Sequence, residues 1–518
     1  MPSRRQILRS SLVVGVFSLL GSLTGILVET SIAARLSLSR SSDTFYVAFT
    51  APYLIVNVLS ATGQFSLVPF FSTLDARHSA EELWRGFSYV ANMLFLGSSA
   101  IAIAGSAAAP WVIRGIAPGF SAPQKELATE LSQWLFLIII PAGLGEAFRS
   151  FLLSQQRFAL SSASGFFRNA TVVLCVLLAF ERYGVYSIVL GYFAGLSLQL
   201  AVLAAQTLIS FRVRYSLTLV GSGEVFQSLH GAGAVQVGGT LAWQAVVIVE
   251  RMIASFLPAG TLTALNYGLK ILTTLVELLA GSVGTASLPA LSRAVAHNAG
   301  TEERKTFQHT LEIGLVLLCP VAVLCLLLPH PIIRLVFQYG NFTPGATALL
   351  STVFFFYSLS LLPFAGIRVL TFYLFARREA KAFLHLCSLQ YGLNVAFDLL
   401  YVGVLRLGAK GIPLGLLTAL ILTCALAFQR DLAGLVRQAC DRSLGVFALK
   451  ISVGSVLAAL VVWGLRASVR SPQNGLEDFL YLSELCGVGS LVFFGTLAAL
   501  GAVRLSQLPA LWRSADDG

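Results

Sequence analysis

The chain has 518 residues, of which 56% are apolar and only 11% charged, with a net charge of +11 and a mean hydropathy of +0.80. A soluble globular protein carries roughly 25% charged residues, so this composition argues against a soluble enzyme and leaves no basic soluble domain to bind nucleic acid. The long apolar segments reach about 20 residues or more, the length that crosses roughly 30 Å of hydrocarbon, and the ten-residue alternation of barrel strands is absent.

About fourteen transmembrane helices are expected, so the fold class is an all-α polytopic membrane protein. They begin near residues 11, 43, 86, 127, 159, 184, 226, 261, 306, 345, 380, 411, 443 and 478, with boundaries good to about four residues. The basic start from Met1 to Arg9 precedes an apolar run that outlasts a signal peptide's hydrophobic region, so the first helix is read as uncleaved. The spans from 226 and 261 are longer than a straight crossing needs, which implies tilt or projection into the cytoplasm.

A charge at the centre of a bilayer costs about 2.5–3.5 kcal/mol on insertion scales, so polar residues inside these spans must face water or a partner. The first span carries Ser18, Ser22, Gly25 and Glu29 on one face, and the second carries Asp43, Thr50, Asn57 and Gln64 at heptad spacing. In the fourth, Glu146 and Arg149 stand one turn apart and can satisfy each other. The fifth has Ser161, Ser164 and Arg168; the seventh has Thr240, Gln244 and Arg251. Serine and threonine alone are ordinary packing groups, whereas an arginine can hold a phosphate through a bidentate fork. In the eighth span Asn266, Lys270, Thr273 and Glu277 share a narrow arc, extended by Gly281 and Gly284. Lys270 and Glu277 are two turns, roughly 10 Å, apart, too far to pair directly. That arc reads either as the wall of a water-filled cavity or as a polar seam between helices, and two full charges favour the cavity. Further on, Asn394 and Asp398 form a candidate polar seam.

Short motifs recur about 220 residues apart. Val28-Glu29 through Leu36 is echoed by Val249-Glu250 through Leu257, Val68-Pro69 through Ser72 by Leu288-Pro289 through Ser292, and the stripe from Asp43 by the stripe from Asn266. Two six-helix repeats are therefore expected, 1–220 and 221–436, divided in the Arg212-to-Glu224 connection, with a final helix pair at 437–518 set off by the Arg430-to-Arg442 connection. A duplicated membrane bundle with ionisable groups inside it is the plan of a transporter. Glu29 and Glu250, at matching repeat positions, are expected either to neutralise nearby cations or to carry a coupling proton or ion; Glu277 joins them as a charge-balancing candidate.

With the N-terminus inside, the inner loops hold about 19 of the 35 basic residues and the outer loops about 10. The other six, Arg149, Arg168, Arg251, Lys270, Arg368 and Lys450, lie within or at the ends of spans. This bias places both termini in the cytoplasm and makes the net charge chiefly a matter of topology, with some attraction to anionic lipid. The seven cysteines are scattered without a C-x-x-C pair, the six histidines form no H-x-x-x-H pair, and neither a Walker loop nor a G-x-S-x-G elbow occurs. No metal site, cofactor, internal ATPase or enzymatic centre is expected.

Several segments resemble the MurJ/MviN family, the lipid II flippases of the multidrug/oligosaccharidyl-lipid/polysaccharide exporter group. They are Asp43-Thr44-Phe45-Tyr46-Val47-Ala48-Phe49 with Pro52, Ala109-Pro110-Trp111 with Ala117-Pro118-Gly119-Phe120, Ala254-Ser255-Phe256-Leu257 through Leu265-Asn266-Tyr267, Gly284-Thr285 with Leu288-Pro289, and Tyr373 through Arg377-Arg378 and Lys381. The most specific is Phe337-Gln338-Tyr339-Gly340-Asn341-Phe342-Thr343. The resemblance implies a flippase that moves undecaprenyl-pyrophosphate-linked peptidoglycan precursor from the inner to the outer leaflet of the bacterial inner membrane. It implies two lobes around a central cationic cavity that opens alternately, a lipid-tail groove on the last two spans, and cell-wall synthesis proteins as partners. Asp43 and Lys270 match charged family positions and Arg251 a common one. At the places where the family's first lobe carries arginines, this chain has Leu23, Glu29 and Val56-Asn57; Arg149 and Arg168 are the candidate replacements.

The expected substrate-binding set is Arg251, Lys270, Arg168, Asn266, Asp43, Asn57 and Gln64, with the cations on the pyrophosphate and the amides on sugars. Competing readings are a flippase for another lipid-linked oligosaccharide, a multidrug exporter coupled to an ion at Glu29 or Glu250, and a non-transporting scaffold for envelope assembly.

Overall fold

The computed structural model describes the backbone of residues 4–77, 79–211, 213–219, 232–297, 300–427, 442–468 and 475–502, and the side chains of these residues except 4–19, 77, 232–236, 300, 380, 427 and 442–444. The expected start near 226, Cys440, the Ser18 side chain and most of the two connections expected to divide the chain lie outside the described residues. Every regular element among those described is helical.

The chain runs through α1 (Arg4–Leu36), α2 (Arg40–Thr62), α3 (Val68–Arg77), α4 (Ala80–Ile116), α5 (Ala122–Phe136), α6 (Ile139–Ser154), α7 (Phe158–Tyr183) and α8 (Tyr186–Ser210). It continues through α9 (Ala232–Ala254), α10 (Thr261–Val276), α11 (Ser282–Ala296), α12 (Gly300–Leu327), α13 (Pro329–Phe337), α14 (Pro344–Ser358) and α15 (Leu361–Ala376). It ends with α16 (Ala380–Asp398), α17 (Gly411–Ala427), α18 (Arg442–Ser468) and α19 (Gly475–Ala499). Among the described residues, eleven helical runs are long and apolar enough to cross a membrane, or twelve when α14 and α15, bent by 48°, are taken as one. The chain is a multi-pass membrane protein.

The thirteen expected starts that fall on described residues each lie within seven residues of a helix start. The largest offsets, at α1, α4, α5 and α12, share one cause. Hydropathy marks where the apolar window opens, but these helices begin earlier, in polar turns such as Ala80-Glu81-Glu82 and Gly300-Thr301-Glu302-Glu303. Ser79 caps α4 in a reciprocal box with Glu82, and Ser39 does the same for α2 with Ser42, satisfying amide groups that a helix start leaves orphaned.

Two long spans are interrupted by π turns rather than broken. Gly63–Leu67 joins α2 to α3, and Glu277–Gly281 joins α10 to α11; a third, Leu399–Val404, follows α16. Such turns hold an extra residue within a continuous helix. At the first, a Cβ on Gly63 would sit 2.0 Å from Glu146 Oε1, so the missing side chain makes room for a buried carboxylate from α6.

Packing groups the chain into two compact units, Met1–Asn266 with Tyr339–Thr343, and Tyr267–Gln338 with Pro344–Gly518. Residues 232–266, which the duplication assigns to the second repeat, pack with the first unit, so packing and sequence repetition divide the chain at different places. In the first unit α7 packs on α1 and α8, α4 on α5 and α6, and α2 on α5 and α9. Phe71, Trp84, Phe87 and Phe151 form a buried aromatic cluster, with ring centroids 5.1–6.1 Å apart in the contacting pairs. Phe211 extends the cluster at 5.4 Å from Phe151. The segment after Phe211 is held on α4: Asn92 Nδ2 donates to the Ser216 and Thr218 carbonyls at 3.2 and 3.0 Å.

In the second unit α11 packs on α12 and α15, α16 pairs with α17, and α18 pairs with α19. The last pair joins α12 through two small apolar clusters, one around Leu328, Val462 and Leu485 and one around Cys319, Ile451 and Phe493. Arg466 Nη1 donates to the Leu327 carbonyl at 2.7 Å, and Arg334 pairs with the buried Asp478 at 3.1 Å.

Gly63→Ala should destabilise the protein by about 1–3 kcal/mol, because the Glu146 carboxylate is held by Arg149 and cannot move aside freely. Gly165→Ala in α7, where nothing lies within 4 Å of the added methyl, should be neutral or mildly stabilising. Thermal unfolding in detergent compares the two.

Candidate functional site

The face of α10 answers the question its sequence poses. Leu262, Ala264, Leu265, Tyr267, Leu272 and Val276 are buried, while Asn266, Lys270 and Thr273 are only partly covered. The polar arc is therefore the helix's less occluded side. Arg251, in the last turn of α9, donates from Nη2 to Asn266 Oδ1 at 2.6 Å, so two of the expected residues meet. Lys270, half-buried one turn beyond Asn266, has no ion pair among the described residues.

Glu277 stands at the first position of the π turn and is exposed. Both its oxygens lie 2.9 Å from Arg368 Nη2 on α15, which supplies the partner that Lys270 is too distant to be. The guanidinium also stands 5.1 Å from the centre of the Phe372 ring. Sequence reasoning placed Arg368 in a span without connecting it to Glu277. No sequence signal linked the two, which stand 91 residues apart on different helices.

In the first unit the two candidate replacements for the absent arginines separate. Arg149 is committed to Glu146, with Nη2 to Oε1 at 3.0 Å and Nε 3.1 Å from each oxygen, and Ser60 adds a 3.4 Å hydrogen bond to the same carboxylate. Arg168 is half-buried, donates to the neighbouring Asn169 at 3.2 Å, and has no ion pair among the described residues. Asn169 fixes that arrangement by donating to the Gly21 carbonyl at 3.1 Å and to Thr24 at 3.4 Å on α1. Ser161 donates to the Arg157 carbonyl just before α7 and Ser164 to the Ser161 carbonyl within it, and Gln199 reaches Ser164 at 3.2 Å, so they act as packing groups.

Asp43 differs from the rest of the expected set. It is 4% exposed; Oδ2 accepts the Gly260 amide at 2.6 Å, and Oδ1 accepts the Thr263 amide at 2.8 Å and its hydroxyl at 2.7 Å. Three donors hold the carboxylate and tie the start of α2 to the turn that opens α10. A pocket of about 390 Å³ lies beside it, lined by Arg40, Gly119, Ser121, Gln124, Ser255 and Pro258 among others. Gly260, at φ +85°, places its Cα so close to the Leu38 carbonyl that a Cβ would lie 2.6 Å from it. The partners Gly260 and Thr263 carry no charge and gave no sequence signal.

Glu29 is buried and accepts a 2.5 Å hydrogen bond from Tyr46 on α2, and Glu250 is buried near the end of α9. Asn57 is half-buried, and Gln64 is exposed within the first π turn. Asn394 donates to Asp398 at 2.8 Å, the expected seam, and Gly415 leaves the room that the Asp398 carboxylate occupies.

Helices that cross a membrane, two of them bulged, with ionisable side chains held inside the spans, define a polytopic membrane protein of transporter type. Residues 32–479 match the profile of the family described as lipid II flippase MurJ. A lipid II flippase MurJ of Burkholderia cenocepacia is 24% identical over 513 residues, covering 95% of this chain and 97% of its own length. A probable lipid II flippase MurJ of Rhizobium meliloti is 25% identical over 519 residues, covering 96% and 94%. Among solved structures, an inward closed conformation of lipid II flippase MurJ superposes with a TM-score of 0.77 at 19% identity, over 94% of this chain and all of that one. The chain belongs to the MurJ family.

Asp43→Asn should destabilise the protein by about 1.5–3 kcal/mol, because an amide group would turn a donor toward amides that already donate. Thr263→Val, which removes one of the three bonds, should cost less. Thermal unfolding of the purified variants checks the order.

Proposed function

We propose that this protein flips undecaprenyl-pyrophosphate-linked peptidoglycan precursor across the bacterial inner membrane by alternating access, with both termini in the cytoplasm. The observation that carries this reading is the division among the cations inside the spans. Arg149 and Arg368 are neutralised by Glu146 and Glu277. Arg168, Lys270 and, on α18, Lys450 are half-buried and meet no acid among the described residues. Keeping a cation in a span without a partner is costly, and a pyrophosphate in transit supplies the missing anion.

In this scheme Lys270 and Arg251 hold the pyrophosphate and Arg168 assists, while Asn266, Asn57 and Gln64 hydrogen-bond the sugars. Asp43 acts indirectly, by fixing the turn that opens α10. Glu29 and Glu250 balance charge, and Glu277 does so through Arg368. The duplication supplies two six-helix lobes, 1–220 and 221–436, and the pair 437–518 offers the lipid tail a groove. Cell-wall synthesis proteins that make and consume the precursor are the expected partners.

The resemblance places Leu23, Glu29 and Val56-Asn57 where the family's first lobe carries arginines, which favours one second reading, a flippase for a different lipid-linked oligosaccharide. Complementation of a strain depleted of its lipid II flippase separates the two. Rescue supports lipid II, and failure by a protein that is inserted and stable supports the other substrate.

Lys270→Ala should lower lipid II flipping about 10- to 100-fold, the loss expected for a charge-assisted hydrogen bond, and Lys270→Arg should retain most of it. Leaflet-specific labelling of lipid II in depleted and resupplied cells measures both. Full flipping by Lys270→Ala would remove the main anchor of this mechanism.

A further inference from the structure

An α-helix leaves its last four carbonyls without intrahelical partners. At the end of α1 three of the four are accounted for. The Ala33 carbonyl accepts the Ser37 amide at 2.8 Å, where Ser37, at φ +54°, turns the chain out of the helix. The next two are capped from about 300 residues away. The Asn341 amide donates to the Ala34 carbonyl at 2.7 Å, and Asn341 Nδ2 donates to the Arg35 carbonyl at 3.1 Å. The approach depends on Gly340, whose φ is +58° and whose Cβ, were there one, would lie 2.5 Å from the Ala34 carbonyl oxygen. Phe342, 3% exposed, anchors the far side of the strap. Tyr339–Thr343 is thereby part of the first unit, although the chain enters it from α13 and leaves it into α14.

We propose that Gly340 and Asn341 form a detachable cap on α1, a latch made in one transport state and released in the other. The idea rests on the alternating-access reading given above. Asn341 and Gly340 are exposed, and both they and the Ser37–Ser39 turn lie in connections between helices, so water can replace Asn341 on the two carbonyls when the strap leaves. A cap inside hydrocarbon would have no such substitute. Two hydrogen bonds, each of modest net worth, bias a two-state equilibrium about 10- to 100-fold. That is enough to hold one state and weak enough to break in every cycle. Beside the strap, the Arg35 side chain pairs with Glu181 on α7 at 2.5 Å.

The test uses the full-length protein with cysteines at Ala34→Cys and Asn341→Cys, together with each single variant. The backbone bond between the two positions places their Cα atoms in the range a disulfide accepts. Mild oxidation should cross-link the pair and stop lipid II flipping, and reduction should restore it. A pair that fails to cross-link, or that cross-links and flips normally, overturns the latch. A second readout is independent of transport: labelling of Ala34→Cys by a membrane-impermeant thiol reagent should rise about fivefold when Asn341→Ala is added, and more with Gly340→Ala. Unchanged labelling in both also overturns the latch. If the unmodified protein does not flip lipid II while labelling still responds, the latch stands and the substrate assignment fails.

Discussion

Charge inside hydrocarbon is the constraint on which the rest of this structure depends. Each ionised group in a span must find an opposite charge, a set of dipoles or water, and the chain shows the first two. Glu146 and Arg149 neutralise each other within one helix, whereas Glu277 and Arg368 do so between helices. Asp43 is satisfied by two amides and a hydroxyl. Lys270 and Arg168 are left half-covered. Glycine appears where such groups need space, as at Gly63 beside Glu146 and Gly415 beside Asp398. The polar design thus dictates the backbone sequence around it.

Two glycines that stand beside salt bridges receive different neighbours. In the first half a glycine at position 63 receives an acid from α6, and in the second Gly284 receives the ring of Phe372 from α15. A salt bridge stands near both contacts, but its members are drawn from one helix in the first half and two in the second.

Much of the fold was legible because bilayer thickness sets helix length and hydropathy reads it directly. What hydropathy missed was local or tertiary. The polar turns that start α4 and α12 lie outside the apolar window, and the π turns at Gly63 and Glu277 depend on one extra residue that periodicity does not register. The Glu146–Arg149 pair was legible because both members share a helix face. Arg368 as the partner of Glu277, and Gly260 and Thr263 as the partners of Asp43, belong to other segments. Only folding shows that Asp43 is held by the Gly260 and Thr263 amides.

The π turns also decide how each long span is read along its length. One additional residue rotates everything downstream by roughly 100° about the helix axis. Beyond Leu67 the azimuth of α3 is therefore set independently of α2, and Phe70 and Phe71 enter the aromatic cluster while Asp43 and Asn57 keep their own heading. A single rod thereby serves two masters: its packing end and its polar end can drift in sequence separately, because the bulge absorbs the angular mismatch between them.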